Sequence, residues 1–364
     1  MDEPLPSRPR KGRGAIGNPT PRFDRESRDA VDDGWRRQEE DEADPPAIAT
    51  TVTPDQSRTI IARNDSPDIS FEQSINPYRG CEHGCVYCFA RPTHAYLGLS
   101  PGLDFETRLF AKFKAAELLR AEFAHPKYEC RVIALGANTD PYHPVERQHQ
   151  ITRRVLEVLR EFRHPVCVVT KSALIQRDID ILGEMAASNL AAVAVSITTL
   201  DRDLARHMEP RAATPPRRLE TVHALASAGI PVSVLASPMI PALNDHELER
   251  ILEAAREAGA VSAGYILLRL PLELTQLFEE WLQAHTPGKA QHVMSLIRQA
   301  RDGKTYRAEW GKRMTGTGAY AELLGTRFAA ACRRLGLNER HHSRRLDTSQ
   351  FRRPPKPGDQ LALF

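Results

Sequence analysis

The 364 residues contain no apolar run approaching the ~18 that a membrane-crossing helix needs, so no span is read from the chain. The amino-terminal stretch MDEPLPSRPRKGRG lacks the apolar centre of a secretory leader, which points to the cytoplasm. Cysteine is scarce. Six are too few for a disulfide-built scaffold in a chain this long; Cys130, Cys167 and Cys332 are scattered, and the other three crowd one loop. That distribution favours metal ligation in a reducing compartment. Charge of one sign is missing as well, since 50 Lys and Arg against 47 Asp and Glu leave +3, which excludes a general polycation. What is plentiful is apolar side chain, 41% of residues and ample for a packed core.

Charge is nevertheless uneven along the chain. Residues 298–353 hold 14 Lys and Arg against five Asp and Glu, an excess of nine. Pairs such as Arg333/Arg334, Arg344/Arg345 and Arg352/Arg353 present planar, forked donors suited to phosphates. A solvated helical surface reads the same way, and composition does not separate the two.

Residues 1–65 are rich in Pro, Gly and mixed charge and are expected to be disordered, with KGRGAIGNPTPRFDR read as linker or as a short docking segment. From residue 66 to 271, six short apolar runs alternate with helical patterns: residues 69–75, 130–136, 165–171, 191–199, 231–239 and 263–271. Strands separated by helices pair in parallel through right-handed crossovers, which predicts an α/β fold, a partial (βα)6 barrel. Its active end is the carboxyl end of the strands, and the polar segments ANTDPYHPVE, TKS, SITTLDR and SPMIPALND do follow strands two to five. Residues 272–346 read as a basic helical region and residues 347–364 as a tail.

The segment NPYRGCEHGCVYCFAR places Cys81, Cys85 and Cys88 just after the first strand. Three thiolates leave a metal centre one ligand short. For zinc, His83 or His94 could complete the set; for a 4Fe–4S cluster, one iron stays free for an exogenous molecule. The CxxxCxxC spacing lets three sulfurs curl around a cuboidal cluster, and no second zinc-type knuckle exists in the sequence.

With Tyr87 immediately before the third cysteine, this loop resembles that of the radical S-adenosylmethionine (SAM) superfamily. NPYRGCEHGCVYCFAR, GANTDPYHPVE, VVTKS and MIPALND together resemble the branch containing spore photoproduct lyase, over about residues 69–270 and more weakly in KGRGAIGNPTPRFDR. The resemblance implies that Cys81, Cys85 and Cys88 ligate a 4Fe–4S cluster and that SAM binds the open iron. It also implies reduction by a flavodoxin- or ferredoxin-type donor and abstraction of hydrogen by a 5′-deoxyadenosyl radical. It places Tyr87 near the adenine, Asn138 and Asp140 near the SAM amino group, and Lys171, Ser196 and Arg218 at further SAM contacts, Arg218 on the carboxylate. Tyr142, His143 and Glu146 would face the same mouth. One departure stands out: the lyase carries a hydrogen-donating cysteine near the end of strand two, where this chain reads LGANTD. Another donor, such as Tyr142, would be needed.

The chain as given ends in QLALF behind the proline-containing spacer RRPPKPGD. This resembles the peptide through which bacterial polymerases and repair proteins bind the replicative sliding clamp, with Leu361, Leu363 and Phe364 as apolar anchors and Gln360 at the rim. Together these features predict a radical SAM enzyme of DNA repair or modification. RNA, protein or small-molecule substrates, and a non-catalytic clamp-associated metal protein, remain the alternatives.

Overall fold

Apolar runs too short to bury themselves, separated by amphipathic helices, assemble as the parallel-pairing rule requires. The computed structural model describes residues 8–26, 47–339 and 345–354. It contains ten strands: β1 (Thr51–Pro54), β2 (Ile61–Arg63), β3 (Gln73–Ile75), β4 (Tyr78–Arg79), β5 (Arg108–Ala111), β6 (Ile133–Leu135), β7 (Val166–Thr170), β8 (Ala191–Ser196), β9 (Val232–Met239) and β10 (Ser262–Leu267). The six expected runs are β3, β6, β7, β8, β9 and β10, which pair in parallel in that order. β2 joins β3 antiparallel, leaving β2 and β10 as edges, so the sheet is an open, partial barrel.

Crossover helices cover the outer face. The helix Ile151–Glu161 buries Ile151, Val155, Leu156, Val158 and Leu159 along one stripe, against β6–β8 residues in the main core. The carboxyl ends of β3, β6, β7 and β8 therefore open toward one mouth, and the loops entering the strands gather at the other end.

Four expectations need correction. First, residues 1–65 are not uniformly unstructured: Arg13, Gly14, Ala15, Ile16 and Gly17 are buried, and β1 joins β5 and β4 in a second, three-stranded sheet. Glycines there permit backbone contacts that hydrophobic periodicity does not register. Second, no break in the core marks residue 271. Leu274, Leu277, Phe278 and Trp281 form one apolar cluster with Val86 and Tyr87, so the helices Leu274–His285 and Pro287–Gln299 wall the mouth.

Third, residues 345–353 are docked on the closed end of the barrel. Phe351 meets Phe123, Tyr128, Phe162 and His164, Arg352 N–H donates to Phe162 O (3.0 Å), and Asp347 N–H donates to Asn189 O (3.0 Å). Fourth, much of the carboxy-terminal arginine excess is engaged within the protein. Arg301, 1% exposed, donates to the carbonyls of Leu267, Leu268, Lys312 and Arg313. Arg313 pairs with Asp68, Arg327 with Glu249, and Arg334 with Glu253.

Candidate functional site

The cysteine loop is a chain of tight turns. Gly84 N–H donates to Cys81 O (3.3 Å), Cys88 N–H to Cys85 O (3.2 Å) and Arg91 N–H to Cys88 O (3.1 Å), which curls the backbone around the three thiols. Gly84 is required there: its φ is +67°, and a Cβ would lie 2.7 Å from Glu106 Oε2. The Arg91 guanidinium, fully buried, donates to Cys85 O (2.8 Å), Gly84 O (3.1 Å), Pro101 O (3.1 Å) and Gly102 O (2.9 Å), and pairs with the buried Glu106 carboxylate. Removing one partner of such a pair costs about 3–5 kcal/mol.

None of the three cysteines is in a disulfide. Burial pushes all three thiols up; Asp140 and the other two thiols add to the effect at Cys81, and Glu209 and Cys88 do so at Cys85. Thiols that raise one another in this way are close neighbours, and a cationic iron centre would reverse that penalty. Of the candidate fourth zinc ligands, His94 Nε2 faces Arg108 O at 3.0 Å with its ring edge-on to Phe105, and His83 Nδ1 lies 3.3 Å from Asp140 Oδ2. Among the described residues, no three Cys, His, Asp or Glu side chains are grouped as a single-ion site requires. A cuboidal cluster takes each thiolate on a different iron, and this donor set suits it.

Lys171, just beyond β7, reaches over the loop. Its ammonium sits 5.7 Å from the centre of the Tyr87 ring and 3.9 Å from Glu209 Oε1. Burial lowers its pKa, an effect that Cys85 opposes. Tyr87 OH lies 3.1 Å from Thr198 Oγ1, which donates to Glu209 Oε1 (2.7 Å). Glu209 also pairs with Arg218, whose other donors go to Ala213 O (2.8 Å) and Ser196 O (3.1 Å). Lys171 and Arg218 thus meet at one buried carboxylate, with Tyr87 linked to it through Thr198 and the Ser196 carbonyl held by Arg218.

Other sequence candidates take different places. Asn138 is exposed, and its backbone N–H donates to Asn76 Oδ1 (2.8 Å). Asp140 serves the loops: it accepts from Tyr142 N–H (2.9 Å), Thr170 Oγ1 (2.8 Å) and Lys171 N–H (2.7 Å). Burial opposes ionisation, yet His83 and these donors hold its carboxyl well below the usual range.

Tyr142 does not stand in the mouth as expected. It is fully buried in the main core and its OH donates to Asp178 Oδ2 (3.0 Å), because Asp178 and Arg177 offer it polar partners beneath the loop. Glu146 is likewise buried, accepting from Tyr78 OH (2.5 Å), Ile151 N–H (2.9 Å) and Arg177 Nη2 (2.9 Å), which makes it a helix-capping carboxylate. His143 packs edge-on against Tyr78, and burial pushes its pKa down to about 3. Arg218, expected on a ligand carboxylate, bonds within the protein through all three of its nitrogens. Gln360, Leu361, Leu363 and Phe364 lie outside the described residues.

Sequence reasoning missed Glu209, Thr198, Arg91 and Glu106. Nothing in the sequence pattern distinguishes Glu209 in HMEPR from a surface carboxylate, whereas Arg91 and Glu106 join only through the fold.

Comparisons with known proteins agree with this geometry. The family model described as the radical SAM superfamily matches residues 75–255. An uncharacterized protein of Mycobacterium tuberculosis (strain ATCC 25618 / H37Rv) is 34% identical over 233 residues, covering 64% of this chain and 68% of the relative. An uncharacterized protein of Methanocaldococcus jannaschii is 25% identical over 213 residues, 58% of this chain and 76% of that one. Among solved structures, a mutant of spore photoproduct lyase superposes with a TM-score of 0.57 at 16% identity, covering 79% of this chain and 80% of the other. A further structure of that enzyme, with bound AdoMet and dinucleoside spore photoproduct, gives 0.55 at 15% identity over the same shares. At these identities the likeness is one of fold.

Proposed function

Since the chain belongs to the radical SAM superfamily, we propose that it is a SAM-cleaving enzyme acting on nucleic acid, DNA in preference to RNA. Cys81, Cys85 and Cys88 would hold a 4Fe–4S cluster. The observation that carries the reading is the mouth itself: three cysteines in one tightly turned loop, Cys81 and Cys85 buried and Cys88 half-buried, with the half-buried Lys171 ammonium over them at the carboxyl end of a parallel sheet. Given one electron from a flavodoxin- or ferredoxin-type donor, such a cluster would supply the reductive cleavage of SAM to methionine and a 5′-deoxyadenosyl radical.

The chain's own residues bind, orient and exclude water. Arg218 pairs with Glu209 and so positions that carboxylate, and Lys171, 3.9 Å from its other oxygen, is the cation for the SAM carboxylate. Glu209 in turn holds Thr198 and the Tyr87 hydroxyl, fixing the ring as an adenine wall. Asn138, exposed at the rim, is the candidate for the SAM amino group, since Asp140 is engaged in the loops.

Support for a nucleic-acid substrate comes from the lyase fold, solved with a dinucleoside photoproduct, and from the terminal QLALF. A sliding clamp engaged by Gln360, Leu361, Leu363 and Phe364 would tether the enzyme and raise its effective concentration at DNA. A duplex base must be flipped out to reach such a mouth. Reversal of a thymine dimer by an internal thiol is disfavoured: Cys130 precedes β6 at the closed end, Cys167 lies within β7, and Tyr142 is committed to Asp178.

The test is anaerobic reconstitution with SAM and deuterated oligonucleotides. Deuterium recovered in 5′-deoxyadenosine from DNA supports the proposal. Deuterium recovered only from RNA or peptide, or no 5′-deoxyadenosine at all, refutes the substrate or the chemistry respectively.

A further inference from the structure

The segment before β1 is joined to the cysteine loop at more points than a linker needs. Gly14 N–H and Ala15 N–H donate to the two oxygens of Glu106, at 3.0 and 2.8 Å. This carboxylate is the one that pairs with Arg91, which in turn grips the carbonyls of Gly84 and Cys85. Arg13 spans the same region, donating to Glu106 O (3.0 Å) and Thr50 Oγ1 (3.1 Å), and Thr50 Oγ1 donates to Glu82 Oε1 (2.6 Å). Downstream, Asn18 exchanges two hydrogen bonds with Asp104, and Arg22 joins Pro92 O and Glu273.

Contact between the backbones is tighter still. A Cβ on Gly14 would lie 1.8 Å from Gly84 O, and one on Gly102 would lie 2.3 Å from Gly17 O. Side chains other than hydrogen are excluded at these points, and so is water. Ile16 belongs to the same apolar cluster as Cys85, Val86 and Tyr87.

We propose that residues 13–17 are a built-in outer wall of the cysteine site, fixing Glu106 and, through Arg91, holding the Cys81–Cys88 loop closed and dry around the group it carries. The amino-terminal segment is then a positioning element rather than a leader to the domain. The inference rests on the cluster reading for the group concerned, but the seating of the wall is a property of this chain alone.

Gly14→Ala should drive the wall off Gly84 at little cost elsewhere, with exposed Lys11→Ala as control. After anaerobic loading with iron and sulfide, exposure to air should bleach the cluster spectrum about 10- to 100-fold faster in Gly14→Ala than in the unmodified chain or the control, the range typical of losing an outer-shell partner. Equal bleaching rates would overturn the proposal whether or not the thermal midpoint moves, because a purely structural role would move the midpoint and leave the spectral decay alone. Should Gly14→Ala fail to fold, hydrogen exchange on the unmodified chain decides. The amides of Gly14 and Ala15 should exchange at least ~10²-fold slower than coil, in step with the core, and coil-like exchange would overturn the wall. If the unmodified chain takes up no cluster, the functional reading falls, while the same exchange measurement still judges the wall.

Discussion

The two ends of the barrel are built on opposite principles. At the mouth, charged and polar groups are paired: Arg91 with Glu106, Arg218 with Glu209, Lys171 among thiols, Asp140 among three donors and beside His83. At the closed end, Phe351 from the carboxy-terminal segment completes a cluster of Phe123, Tyr128, Phe162 and His164, with Phe123 and His164 stacked at 4.5 Å. The difference separates the roles. Buried ionic networks are costly and are worth keeping where chemistry needs fixed charge, whereas the carboxy-terminal segment is secured by an aromatic cluster and hydrogen bonds to backbone carbonyls, with no buried ion pair among the described residues.

That separation can be broken from either end, and the largest effects belong to the mouth. Replacing Cys81, Cys85 or Cys88 by Ala should abolish iron and sulfide uptake and 5′-deoxyadenosine formation, read by metal analysis and chromatography. Arg218→Met leaves the buried Glu209 with only the Thr198 hydroxyl and the more distant Lys171 ammonium, so chemical denaturation should register a loss of up to about 3–5 kcal/mol. Lys171→Met should keep the fold but weaken SAM binding ~10- to 100-fold by calorimetry, the worth of a charge-assisted bond of about 1.5–3 kcal/mol.

Changes at the closed end should be smaller and should spare the chemistry. Burial pushes His164 down to about 4, against about 6.5 in the unfolded chain. The unfolded state therefore takes up a proton first as pH falls, so the His164 contribution to stability is complete above about pH 6.5 and is lost by about pH 4. His164→Phe should remove that acid-side loss in thermal melts, with SAM cleavage at neutral pH unchanged. Smallest of all, deleting residues 360–364 should leave melting and SAM cleavage alone and abolish co-purification with the sliding clamp.

The sequence made the mouth legible in part and the closed end hardly at all. Six strands were readable because buried parallel strands are short runs of Val, Ile and Ala, and the thiols because three cysteines in eight positions have few other uses. Tyr142 was misplaced because a residue after a strand end can turn to the mouth or to the core, and only the Asp178 partner decides which. Glu209 gave no signal, being a lone carboxylate that matters through Arg218, nine residues away. The wall at Gly14 was only half legible: KGRGAIGNPTPRFDR read as linker or docking segment, because its burial comes from glycine backbones touching, which carries no hydrophobic pattern. Phe351 sat in a segment whose prolines and charges looked like tail, and one aromatic with hydrogen bonds from Asp347, Gln350, Arg352 and Arg353 docks it.

The most direct test of the account is the metal and sulfide content of the chain purified and reconstituted without oxygen, followed by its spectrum on adding SAM. The account predicts about four irons and four sulfides per chain, lost on replacing any one of the three cysteines, with a spectrum that shifts when SAM binds. Stoichiometric zinc without sulfide, indifferent to SAM, would contradict it.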